Sequence, residues 1–99
     1  MEKKVPHYKL LLIQTEVRQR GADAFTRTAL DGGREMGLSV EQMVTAVCGL
    51  TGRQFFKSMT TLADHTIWQD VYHAPTSAGA AYVKFTMRQG TVVIQFKRK

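Results

Sequence analysis

Lys57, Gln69 and Tyr82 are of types suited to work on a phosphodiester, and Lys84, Arg88 and Lys97 lie close enough in the chain to add cations. Cations hold phosphate oxygens, an amide reads a base edge or orients a hydroxyl, and a phenol stacks on a base or donates its proton. RNA carries its own nucleophile, the 2′-hydroxyl. A protein that breaks it needs to align that oxygen with phosphorus and stabilise the charge that develops. Taken singly, each residue has a plainer explanation as a solvated edge charge, a cross-strand amide or a half-buried ring. Their weight comes from sharing one face.

That face is read from the last strands. In YVKFTMRQGTVVIQFKRK, residues 82–99, Val83, Phe85 and Met87 alternate with Tyr82, Lys84, Thr86 and Arg88. Val92, Ile94 and Phe96 alternate likewise with Val93, Gln95 and Lys97. Successive strand side chains point to opposite sides, so this is a half-buried antiparallel pair with an apolar face and a polar one. Gln89-Gly90 supplies a two-residue turn. The same logic puts Lys57 with Phe55, and Gln69 with Ile67 and Val71, on the polar side, while Trp68 and Tyr72 turn inward. Both faces of these middle strands carry apolar groups, and a bulge would reverse the assignment.

Other chemistry is weaker. His65 sits in a segment able to reach the edge of this face, and His73 is expected just after its strand; a neutral histidine can move protons near pH 7. A lysine crowded by cations is a second candidate for that work. His7 reads as surface. No two histidines have zinc-ligand spacing with Cys48 or an acid, so no metal is expected. Asp64 and Asp70 look like turn and edge residues, and two-metal hydrolysis needs a denser acidic cluster. The chain has no G-x-S-x-G, P-loop or dinucleotide-binding glycine loop, and no cofactor is expected.

The elements that must position these residues fit 99 residues and one domain, 1–99. The lone cysteine and the absence of a long apolar run imply a soluble, unprocessed, cytoplasmic protein. Net charge is +6, and no acidic residue follows Asp70, whereas Lys84, Arg88, Lys97, Arg98 and Lys99 do. A basic half of this kind attracts polyanions. Helices are expected over 8–20, with Gly21 as its stop, over 28–36, and over a third stretch opened by the Ser39/Gln42 capping box and ended by Gly49. Gly32 and Gly33 weaken the second helix and allow close packing instead. Strands follow at 54–60 and 66–72, then the terminal hairpin. Helices first and strands afterwards give an α+β fold, with three N-terminal helices packed on one face of a C-terminal antiparallel sheet.

The run FFKSMTTLADHTIWQDVYHA, residues 55–74, with the opening MEKKVPHYKL and the strands AYVKF and VVIQFKRK, resembles the MqsR toxins, the motility quorum-sensing regulator family of toxin–antitoxin systems. The resemblance covers nearly the whole chain. It implies a RelE-like α+β fold and a metal-independent, sequence-selective endoribonuclease (an mRNA interferase) that cuts at GCU-type sites and is neutralised by an MqsA-like antitoxin. The family's functional lysine, glutamine and tyrosine fall on Lys57 in F-F-K-S-M, Gln69 in I-W-Q-D-V and Tyr82 in A-Y-V-K-F, three residues that strand alternation also selects. Lys97 in Q-F-K-R-K adds a basic contribution by analogy, and Arg88, Lys84 and His65 complete the expected RNA-binding set. After Tyr72, His73 and a small Ser/Thr/Ala loop depart from the family's more basic pattern.

Two rivals use the same face. A non-catalytic nucleic-acid-binding regulator would hold RNA and leave it intact, with strong salt dependence. A protein-directed toxin of related fold would act on a topoisomerase instead. Convergence of Lys57, Gln69 and Tyr82 on one open patch favours the nuclease.

Overall fold

Side-chain caps open two of the three helices, and a tertiary contact sets where the other begins. The computed structural model describes residues 1–99. Helix α1 (Leu10–Arg20) starts two residues later than expected. The reason is tertiary: the backbone N–H groups of His7 and Tyr8 donate to the Asp70 carboxylate, which holds that segment outside the helix. Gly21, at φ 56°, ends it. In α2 (Arg27–Glu35) the Thr26 hydroxyl accepts the Ala29 N–H at 3.0 Å. In α3 (Val40–Cys48) both halves of the Ser39/Gln42 capping box form, at 2.8 and 3.1 Å, leaving fewer helix-start donors without partners.

Five antiparallel strands follow one another across a single sheet in the order β1 (Glu2–Lys3), β2 (Phe55–Thr60), β3 (Trp68–Ala74), β4 (Ala81–Arg88) and β5 (Thr91–Arg98). β1 is too short to show alternation, which is why the sequence does not announce it. The β4–β5 turn has Gln89 at φ 53° and Gly90 at φ 77°. Both central residues take the positive φ that a tight two-residue hairpin requires. Beyond β5 the chain just before α2 continues the sheet, with Phe25 bridging Ile94 and the Thr26 N–H donating to the Ile94 carbonyl at 3.0 Å.

The core lies between helices and sheet. Ile13, Val17, Ala29, Met43 and Val47 meet Tyr72, Val83, Phe85, Val92, Ile94 and Phe96. α2 approaches β5 closely enough that a Cβ on Gly32 would collide with the Phe96 carbonyl, and one on Gly33 with the Met43 sulfur. The glycine pair is therefore a packing device, at some cost in helix propensity. No helix is long and apolar enough to cross a membrane.

Three expectations need correction. β3 runs to Ala74, two residues beyond the expected end, so His73 lies within the strand. A bulge between Phe55 and Lys57 separates those residues: Phe55 pairs with Tyr72 and packs on the core, while Lys57 pairs with Val71 and stays outside. Asp70 is no edge residue. It pairs with Phe85 on the covered face and is fully buried.

Candidate functional site

Strand register sorts the uncovered face into cross-strand rows. One row is His73, Tyr82 and Lys97; the next is Lys57, Val71, Lys84 and Gln95. In a third row Gln69 pairs with Met59. Directly opposed residues share a face, and neighbouring rows lie roughly 7 Å apart along the strands. The residues selected by alternation therefore share one uncovered face, and they differ in how close they come.

Lys57, Tyr82, Lys84 and Lys97 surround an open hollow of about 300 Å³, completed by Phe56, Met59 and Val71. Val71 is 2% exposed yet lies outside the main core; it forms the floor beneath the lysine stems. A second hollow, of about 370 Å³, adjoins it and shares Tyr82, Lys84 and Lys97, with Thr26, Thr28 and Gln95 on its far wall. Gln69 is one row removed, beyond Met59. Arg88 is on the same face but at the turn end, opposite Thr91. It stands four residues from Lys84, on the order of 13 Å along the strand. His65 sits exposed in the loop between β2 and β3, beside Asp64, and does not enter the hollow.

Electrostatics separates the lysines further. Lys57 Nζ lies 2.7 Å from Glu2 Oε1, and this ion pair holds the Glu2 carboxyl below its usual range. Lys84 and Lys97 form no ion pair, and Lys97 sits 5.9 Å from the centre of the Tyr82 ring. The cations nearest the hollow are thus one lysine held by β1 and two open to an incoming anion.

Alternation alone misses two residues here. Phe56, in the bulge, faces outward, 42% exposed, where Lys57 and Lys4 approach its ring at 5.4 and 5.5 Å. His73 is stacked under Phe56 at 4.5 Å and meets the Tyr82 ring edge-on at 5.1 Å. Burial first, and then the positive charge of Lys99, push the His73 imidazole below the ordinary histidine pKa. The signal for Phe56 was the adjacent pair Phe55-Phe56: successive strand residues face opposite sides, so with Phe55 in the core Phe56 faces solvent, and the bulge brings Lys57 to the same side. Tyr72, by contrast, is buried in the core, and its phenol is pushed up to about 12 by burial. It takes no part in this face.

A helix-backed sheet whose open face gathers lysines and aromatic rings around a hollow has the build of a protein that handles a phosphate backbone. The family model described as motility quorum-sensing regulator, toxin of MqsA, matches residues 5–98. The mRNA interferase toxin MqsR of Escherichia coli (strain K12) is 40% identical over 99 residues, all of both chains. The chain belongs to the motility quorum-sensing regulator toxin family.

Proposed function

We propose that this protein is a sequence-selective endoribonuclease toxin of RelE-like fold that cuts mRNA at GCU-type sites without a metal and is neutralised by a cognate antitoxin protein. The observation that carries the reading is the gathering of Lys57, Tyr82, Lys84 and Lys97 around one solvent-open hollow. Family membership and the name of the E. coli relative support it.

The chemistry follows from the residue types. Lys57 and Lys97 hold the scissile phosphate, and Lys84 adds charge between them. Fixed cations aimed where negative charge builds in the transition state lower the barrier, because they need no reorganisation during the reaction. Tyr82 faces the sugar and the departing 5′-oxygen. Gln69, one row away, suits a hydrogen bond to a neighbouring base edge, which makes it a specificity residue more than a member of the reacting centre. Attack by the 2′-hydroxyl leaves a 2′,3′-cyclic phosphate and a 5′-hydroxyl. Lys84 and Lys97, which form no ion pair, also offer an acidic antitoxin segment an electrostatic target.

The test is cleavage of a labelled RNA containing one GCU, in excess EDTA, by wild type and Lys57→Ala. Cutting by the wild type alone, with a cyclic phosphate end, is expected. Tight binding without cutting in any triplet context would leave a binding module in place of the enzyme.

A further inference from the structure

The chain has three histidines, and the fold gives them different surroundings. His7 is stacked on Trp68 at 5.4 Å, with its Nδ1 2.9 Å from Lys3 Nζ, near the β1 edge of the sheet. His65 is in the exposed β2–β3 loop. His73 alone stands on the open face, directly opposite Tyr82 in the β3–β4 register.

Its ring is held from two sides and bonded from neither. Phe56 lies over it at an interplanar angle of 28°, and Tyr82 meets it at 74°. Nε2 is buried without a hydrogen-bond partner. A buried polar atom left in that state is costly, and in native proteins it calls for an explanation. The packing fixes the ring's plane and leaves its hydrogen-bonding capacity unused.

We propose that His73 is the group that takes the proton from the attacking 2′-hydroxyl, a role that rests on the nuclease reading above. A neutral imidazole has one N–H and one lone pair. With the hydrogen on buried Nε2, the Nδ1 lone pair is the acceptor. As the 2′-oxygen bonds to phosphorus, Nδ1 receives its proton. The bond from phosphorus to the 5′-oxygen breaks, its electron pair stays on that oxygen, and the oxygen takes the phenolic proton of Tyr82. The imidazolium then releases its proton to solvent and the Tyr82 phenolate takes one from solvent, so both groups end as they began.

The surroundings keep the ring in its accepting form. The groups around it are Tyr82 on β4, Lys97 on β5 and Lys99 just past its end, with Lys57 and Lys4 against the Phe56 ring that covers it. The nearby carboxylate, Glu2, is bound to Lys57. Cations and burial both disfavour a second positive charge.

The experiment is single-turnover cleavage of the one-GCU RNA between about pH 5 and 8, the range over which histidine titrates. The wild-type rate is expected to climb with pH and to level off below the ordinary histidine value. His73→Gln should cut roughly 100-fold more slowly or worse and lose that climb, the usual scale of a missing general base. Its affinity for an RNA carrying a 2′-deoxy sugar at the cleavage position should stay unchanged. His73→Ala leaves a ring-shaped gap between Phe56 and Tyr82, so added imidazole should restore part of its rate. A substrate with sulfur replacing the 5′-oxygen needs no leaving-group proton. Tyr82→Phe should recover on it, and His73→Gln should not. A folded His73→Gln that cuts at the wild-type rate with the wild-type pH profile overturns the proposal and leaves the nuclease reading standing. A wild type that cuts no RNA removes both.

Discussion

The second residue of the chain holds the lysine at the centre of the proposed site: Glu2 Oε1 and Lys57 Nζ are 2.7 Å apart, joining β1 to β2. A phosphate must compete with that carboxylate for Lys57. Because Lys57 keeps the Glu2 carboxyl below its ordinary range, the pair persists at neutral pH and is lost only as acid protonates Glu2 through that lowered value. Glu2→Gln should therefore tighten RNA binding at pH 7, by no more than a few-fold because exposed pairs are weak. Titration of a 2′-deoxy RNA by both proteins checks it. The two affinities should converge below the Glu2 pKa, and an equal difference at all pH values would mean that Glu2 does not act through its charge.

The spread of cations along the face sets a second expectation. Lys57→Ala and Lys97→Ala remove groups that line the hollow and should slow cleavage by about 100-fold or more, the scale of losing a charge-stabilising donor. Arg88 pairs with Thr91 at the far turn. Arg88→Ala should leave kcat near wild type and reduce the slope of log affinity against log salt by about 0.7, the contribution of one phosphate contact to single-stranded RNA. Measuring kcat and the salt slope for all three variants separates the reacting centre from the outlying track. A large fall in kcat for Arg88→Ala would contradict this division.

What the sequence made legible was whatever depended on period. The β4–β5 hairpin, its turn and the inward set Val83, Phe85, Met87, Val92, Ile94 and Phe96 follow from strict alternation; Met87, near the turn, is half-buried against the core and the other five are at most 2% exposed. The caps at Ser39 and Gly21 were equally plain, since their chemistry is local. Lys57 was placed outward, but in company with Phe55, because the bulge is an interruption of the period itself. Phe56, in that bulge, went unassigned, and His73, weighed as a proton-moving histidine after its strand, was misplaced because the strand runs on past Tyr72. β1 and the burial of Asp70 were beyond reach because both depend on contacts more than fifty residues apart.

Packing of α2 on β5 yields a stability prediction against propensity. Ala is better than Gly in a helix by about 1 kcal/mol, so on local grounds Gly32→Ala should stabilise. The new methyl would instead strike the Phe96 carbonyl, a backbone atom fixed in the sheet. The expected result is destabilisation by about 1 to 3 kcal/mol, typical of overpacking. Gly33→Ala meets the Met43 side chain, whose flexible thioether can move, so its cost should be smaller. Urea unfolding of both variants checks the order. A Gly32→Ala protein as stable as wild type would show that α2 can lift from β5 without penalty.

Asp70 ties the start of the chain to the middle of the sheet. One carboxylate oxygen accepts the Tyr8 N–H at 2.8 Å, and both oxygens share the His7 N–H at 3.0 Å. The side chain is completely buried, beside the Lys3, His7 and Trp68 stack. Removing it takes the acceptor from two backbone donors, one on exposed His7 and one on half-buried Tyr8, and frees the segment that leads from β1 into α1. Asp70→Ala should cost about 3 kcal/mol, since bonds to a charged acceptor are worth about 1.5 to 3 each. Amide exchange should locate the damage, with protection lost at His7 and Tyr8 while the β4–β5 hairpin keeps its own. Because Glu2 lies on the same freed segment, Asp70→Ala should also loosen its hold on Lys57. In protein that remains folded, RNA binding should then tighten as it does for Glu2→Gln. The double variant should bind no tighter than either single one. Additive tightening would mean that Asp70 and Glu2 reach the site by separate routes.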